Sequence, residues 1–300
     1  MELGKVYPNL VVLDADLSQS TKTCLFCKAF PDRFFNLGVA EQDMIGVAAG
    51  LAASGKIVFA STFAVFASGR AWDQIRASVA YPHLNVKIVA THGGITTGED
   101  GATHQALEDI AIMRVMPNVQ VIVPADAIET RRVILQLVKE EGPAYVRLNR
   151  LAVPVIHENE NYDFEIGRAE TMRKGSDVTI IACGIMVKAA LVAADILGQD
   201  GISARVVNTH TIKPLDVECI LSAARETGAM VVAEEHSIIG GLGAAVGEVV
   251  CENFPVPVIR VGMKDVFGES GKPAALLEKY GMTAADIVHA AKSALEKKRR

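Results

Sequence analysis

Only five cysteines occur among 300 residues, and no second pair matches the one C-x-x-C, Cys24 with Cys27, at metal-binding spacing. An isolated C-x-x-C is a weak sign of redox or metal chemistry. With no secretory leader at its amino end, the chain is expected to keep its thiols reduced in the cytoplasm. Basic clusters are as scarce. The net charge is −5, and the one basic run, Lys297-Lys298-Arg299-Arg300, is terminal and reads as a solvated tail. Phosphate backbones need a clustered basic surface, which excludes nucleic acid as the main partner. Long apolar runs are missing too. The longest, 178–197, is broken by Gly184, Lys188 and Asp195 and reads as a strand followed by a helix, which excludes a membrane span. No repeat of solenoid length occurs. In EEHSIIGGLGAAVGE, Gly241 and Gly243 do not complete a G-x-G-x-x-G, so a dinucleotide site is disfavoured and His236 reads as a packing or interface residue.

What is present is the balance of a folded globular chain, 50% hydrophobic and 22% charged. The length suffices for two domains, each with its own core. Short β-branched runs alternate with helical stretches. Strands are expected over 10–13, 57–59, 86–90, 119–123 and 144–148, with helices over 40–53, 69–78, 105–113 and 127–140. Apolar strands joined by helical crossovers make a parallel sheet covered on both faces. The polar, aperiodic stretch VPVIHENENYD interrupts this pattern and reads as a linker. Domains are therefore expected over 1–153 and 165–300, joined by a linker over 154–164. Beyond it, strands are expected over 178–182, 203–208, 230–233 and 256–261, and helices over 186–197, 215–226, 241–253, 273–280 and 284–298. The fold class is α/β, with two domains, each a largely parallel sheet covered by helices.

The segment 91–104, THGGITTGEDGATH, follows an expected strand directly. Ligand sites of open α/β sheets lie at the carboxyl ends of strands. His92, Glu99, Asp100 and His104 thus stand where a small polar substrate would be gripped. A lone buried histidine is usually satisfied by a carbonyl, but two histidines and two acids on one glycine-rich loop point to function. Glu41 opens a helix that is otherwise small and apolar, with Gly46, Ala48, Ala49, Gly50, Ala52 and Ala53. In so crowded a place the neutral carboxyl is favoured and can share a proton with a ligand nitrogen. The plain alternative is an acid stabilised by the helix macrodipole. Phe63 and Phe66 in STFAVFASGR can cover an aromatic ring or belong to the core. Arg150, ending AYVRLNR, suits an anion such as phosphate through forked hydrogen bonds, or a surface ion pair. Arg147 points by strand alternation away from the face of Leu148. Asp16 and Ser20, in LDADLSQS, lie at the same sheet edge, with Ser18 a competitor for the same role.

The strings GVAEQDM, STFAVF, THGGITTGEDGATHQALEDIAIMR, VIVPAD and LNR together resemble the C-terminal half of transketolase, over essentially the whole chain. The resemblance implies a thiamine-diphosphate pyrimidine-binding domain followed by a transketolase C-terminal domain, and ketol transfer between sugar phosphates. By it, Glu41 holds the aminopyrimidine and promotes the imino tautomer that deprotonates the thiazolium, while the cofactor carries the carbon–carbon chemistry. Phe66 matches the residue that stacks on the pyrimidine, and Phe63 a neighbouring pocket wall. Asp100 and His104 would contact sugar hydroxyls near the reacting carbons, with His104 and Glu41 the catalytic pair. His92, Arg150 and Ser20 would hold the sugar phosphate.

Two departures from the family pattern matter. No GDG string occurs, and this chain offers no visible set of oxygen ligands for a metal and diphosphate. The chain is therefore expected to be one subunit of a split transketolase. An N-terminal subunit carrying the GDG motif would hold Mg²⁺ or Ca²⁺, and self-association would give an α2β2 assembly. The family also has a further helix, with another phosphate-binding arginine, before ELGKVYP. Three rival readings are the β subunit of a 2-oxo-acid dehydrogenase first component, a deoxyxylulose-phosphate synthase fragment, and a non-catalytic regulatory subunit.

Overall fold

The structure, a computed structural model, describes residues 1–157, 159 and 162–298. Parts of two expected features, Glu158, Glu160 and Asn161 of the linker and Arg299 and Arg300 of the basic tail, lie outside the described residues. Two sheets organise the chain. The first has seven strands: β1 (Leu10–Asp14), β2 (Phe34–Asn36), β3 (Ile57–Ser61), β4 (Val86–Ala90), β5 (Gln120–Ile122), β6 (Ala144–Arg147) and β10 (Thr211–Lys213). Their order is β10-β5-β6-β4-β3-β1-β2. The second has five: β7 (Glu170–Arg173), β8 (Val178–Ala182), β9 (Ala204–Asn208), β11 (Met230–Ser237) and β12 (Val258–Met263), in the order β12-β11-β8-β9-β7. All pairings are parallel except β10 with β5 and β7 with β9.

The apolar strands expected from the sequence form the centres of both sheets. Every residue of β1 and of β8 is buried, as a sheet covered on both faces requires. The helix Glu41–Ala53 buries Met44, Ile45, Ala48, Ala49 and Ala52. Three strands were not foreseen. β2 is a three-residue edge and β7 is polar, so neither carries an apolar run. β10 is three residues long and leaves the second half of the chain to pair with β5 of the first sheet. The helix expected over 105–113 is shorter, Asp109–Arg114. The Gln105 side chain is instead spent on the carbonyls of Ile95, Gly98 and Glu269, and Ala106 O accepts from Gly94 N, so this stretch closes the loop before it. The helix expected over 69–78 begins earlier, as wide turns over Phe66–Arg70 continuing through Ile75–Ala80.

Register determines which side chains meet. Asp14 lies opposite Ser61, Ala60 opposite Ile88, and Ala90 opposite Arg147. The carboxyl ends of β1, β3, β4 and β6 therefore share one edge, from which 15–23, 62–70, 91–104 and 148–150 depart.

A buried polar clamp joins the linker to both sheets. His157 Nδ1 is 2.9 Å from Asp126 Oδ2 and its Nε2 is 3.0 Å from Glu170 Oε2. Its ring stacks on Tyr162, whose hydroxyl donates to Glu129 Oε1 at 2.9 Å. Burial alone would lower the His157 pKa, but the bonds to Glu170 and Asp126 prevail and push it up to about 9. A histidine whose folded pKa is raised stabilises fully below its unfolded value and loses that contribution as pH rises through the folded one. His157→Ala should thus cost roughly 3 kcal/mol at pH 6, as for breaking a buried pair. Chemical denaturation of wild type and variant from pH 6 to 10 should show that gap shrinking through about pH 9. A gap independent of pH would contradict this charge state.

Candidate active site

The helix Glu41–Ala53 opens at the shared edge, and its first residue is nearly sealed: Glu41 is 1% exposed. Its carboxylate is not alone. Arg70 Nη1 donates to Glu41 Oε2 at 2.8 Å, a cation that the sequence reading did not place there. The Arg70 guanidinium also sits 4.7 Å above the ring of Phe66, one helical step earlier. Phe66 and Phe63 stack with centroids 6.0 Å apart.

These rings connect the Glu41 side of the site to the glycine-rich loop. The His92 imidazole stacks on Phe63 at 3.7 Å, and His104 meets Phe66 edge-on at 5.3 Å. His104 Nδ1 is 2.9 Å from Thr103 Oγ1, and His92 Nδ1 is 2.8 Å from Thr91 Oγ1. In both histidines the neighbouring threonine engages Nδ1, which leaves Nε2 as the ring atom for a ligand. Glu41, Phe63, Phe66, His92 and His104 therefore form one connected cluster.

Arg150 belongs to the His92 end. Its Nη1 donates to Thr97 O at 2.7 Å and to Glu99 Oε2 at 2.9 Å. The carbonyl fixes the arginine, while the half-exposed ion pair is weak: such pairs are worth about 0–1 kcal/mol. An incoming anion can displace Glu99. Asp100 is exposed at the end of the 95–100 turn, near enough to act on His92 electrostatically. Ser20 is exposed on the turn Ser18–Thr21, and among the described residues its side chain bonds to none of the cluster. Asp16 is occupied by Asn36, whose amide donates to its carboxylate at 3.0 Å.

Burial is the main reason His92 is held down, to about 4, and the positive charge of Arg150 adds to it against the opposing pull of Asp100. His92 is thus a neutral hydrogen-bonding ring at neutral pH. A depressed folded pKa gives stability that is present above the ordinary value of 6.5 and is lost as pH falls through about 4. Imidazole NMR of the isolated chain should place the His92 inflection near pH 4, and an inflection above pH 6 would contradict this environment.

The loop is held from outside. Glu235 of β11 accepts from Thr96 N at 2.6 Å, and Gln105 Nε2 reaches Glu269 O at 2.9 Å. Gly94 has φ +89, and a Cβ there would lie 2.2 Å from Glu235 Cδ, so only glycine fits. Arg147 is fully buried rather than merely turned away: it pairs with Asp109 at 2.9 Å and donates to the carbonyls of Ala106 and Glu235. His236 is a packing residue, with Nδ1 2.7 Å from Ser237 O. The sequence reading missed Arg70, Gln105, Asn149 and Glu235. The i,i+4 step from Phe66 to Arg70 and the LNR string could have flagged two of them; nothing local marks Glu235.

All five cysteines are free thiols, and none of the described helices is long and apolar enough to cross a membrane. One His/Glu group among the described residues, Glu129, His157 and Glu170, is compact enough to share a cation, but its bonds are those of the linker clamp.

Comparison with known proteins extends this picture. The family model "Transketolase, pyrimidine binding domain" matches residues 1–155, and "Transketolase, C-terminal domain" matches 167–287. A Methanocaldococcus jannaschii protein, provisionally named as a transketolase C-terminal section, is 56% identical over 289 residues, covering 96% of this chain and 90% of its own. The 6-deoxy-6-sulfo-D-fructose transketolase subunit SqwH of Clostridium sp. is 47% identical, covering 99% of this chain and 92% of its own. A solved structure described as "Split gene transketolase, inactive beta4 tetramer" superposes with a TM-score of 0.91 at 56% identity, over 99% of this chain and 95% of its own.

Proposed function

Because the chain belongs to the transketolase family, as its pyrimidine-binding and C-terminal portions, we propose that it is the C-terminal subunit of a split, thiamine-diphosphate-dependent transketolase that moves a two-carbon ketol unit between sugar phosphates. The observation that carries this reading is the buried Glu41 carboxylate joined through Arg70, Phe66 and His104 to a loop bearing His92 and Asp100.

The residues fit the pyrimidine half of the cofactor. A sealed carboxylate can hold a proton at a ring nitrogen, and the Phe66 face can pack on a heteroaromatic ring. Thiamine diphosphate, when bound, supplies the nucleophilic carbon for ketol transfer. The chain's own residues bind and orient. Glu41 holds and returns the proton at the pyrimidine, and Arg70 keeps that carboxyl in place. Phe63 and Phe66 wall the ring site and exclude water. Neutral His92 and Arg150 receive the terminal anion, with Ser20 a further phosphate contact, while Asp100 and His104 bind hydroxyls near the reacting carbons. His104 is the second catalytic group. A relative named for a sulfosugar suits the same reading, since an arginine and a neutral imidazole accept a sulfonate as well as a phosphate.

The diphosphate and its Mg²⁺ or Ca²⁺ are assigned to an N-terminal partner carrying GDG, in an α2β2 assembly. A similar protein described as an inactive β4 tetramer supports the need for that partner. Five free thiols support a reducing compartment, the cytoplasm. The test mixes the purified chain and partner with thiamine diphosphate and magnesium. Ketol transfer by the mixture and by neither chain alone is expected; an inactive mixture would favour a regulatory subunit.

A further inference from the structure

We infer that Glu235, on the second sheet, is a positioning residue that sets the geometry of the substrate loop on the first. This rests on the reading of 91–104 as that loop. Glu235 is 2% exposed near the end of β11. Its two oxygens are shared between two segments of the site. Oε1 accepts from Thr96 N at 2.6 Å, within the loop that bears His92 and Asp100. Oε2 accepts from Asn149 Nδ2 at 2.7 Å, on the residue before Arg150. One carboxylate thereby spaces the two halves of the anion pocket.

Contacts around it close a ring. The loop backbone at Gly94 lies against the carboxylate, with no room for a Cβ. The main-chain oxygen of Glu235 accepts from Arg147 Nη2 at 2.8 Å, and the Arg147 side chain fills the space beside Gly93. Asn149 Nδ2 also approaches Gly93 O at 3.4 Å. Removing the carboxylate leaves the buried Thr96 N–H without its acceptor and takes from the half-buried Asn149 amide its shorter bond, which frees the loop. Glu41, Arg70 and Phe66 make their own contacts elsewhere and are not disturbed. The expected defect is in holding substrate rather than in preparing the cofactor. The second sheet thus acts as a template for a loop that the first sheet carries.

Two measurements test this on the full-length chain. Amide hydrogen exchange of the isolated protein should show the 94–101 segment opening about tenfold faster in Glu235→Ala, since a buried N–H has lost its partner. Glu235→Gln, which keeps one acceptor oxygen, should fall between, and it carries the comparison if the alanine variant does not fold. In the mixture with the partner subunit, KM for a phosphorylated sugar should rise roughly tenfold while kcat stays within about threefold. Unchanged exchange in both variants overturns the proposal. Faster exchange with unchanged KM also overturns it, because the carboxylate would then be structural only. A wild-type mixture without ketol transfer counts against the proposed function alone, and the exchange data still decide the loop.

Discussion

Replacing Glu41 with Gln should lower ketol transfer by the assembled enzyme by about 10²–10⁴-fold, the usual worth of one positioned proton-transfer group. The amide keeps the volume at the start of the helix Glu41–Ala53 but cannot carry a proton to a ring nitrogen and back. Stability should change little. Among the described residues the ion pair lost is to Arg70, whose side chain is 49% exposed, and pairs with so exposed a partner contribute about 0–1 kcal/mol. A thermal melt within a few degrees of wild type, beside collapsed turnover, is the combination to look for. Loss of turnover together with loss of fold would instead make Glu41 a structural acid.

The second large effect is at the other end of the pocket. Arg150→Ala should raise KM for a phosphorylated sugar by about 10–100-fold, as expected for hydrogen bonds to a charged group. KM for the unphosphorylated analogue should stay nearly constant. The contrast follows from the position of Arg150, which is fixed by Thr97 O and only loosely by Glu99. It stands at the His92 end of the cluster, whereas Glu41 and Arg70 stand at the Phe66 end. Equal losses for both sugars would remove the anion-binding role.

Much of this was legible in the sequence, for local reasons. Buried parallel strands are mostly apolar, so β1, β3, β4, β8 and the first half of β11 (Met230–Ala233) declare themselves, whereas its buried continuation Glu234–His236 does not. Glu41 stands out as a charge at the head of a small, apolar helix, and His92, Asp100 and His104 share one glycine-rich loop. The connected cluster of Glu41, Phe63, Phe66, His92 and His104 has the composition that such a reading calls for. What stayed hidden depends on distant contacts. Thr96 and Glu235 are 139 positions apart, and β10 is a three-residue strand whose partner precedes it by some ninety residues. Gly94 is required because the second sheet presses a carboxylate against it, which the glycine content of the loop does not by itself reveal. Arg70 was missed because the wide turns over Phe66–Arg70 bring it back onto Glu41, which a straight helix over 69–78 does not foresee.

The most direct measurement is the deuterium exchange rate at the thiazolium C2 position of thiamine diphosphate, in the two-subunit mixture, with wild type beside Glu41→Gln. Accelerated exchange with wild type, falling to the rate of the free cofactor in the variant, is the predicted result. Equal acceleration in both would contradict the assignment of proton transfer to this chain's buried acid.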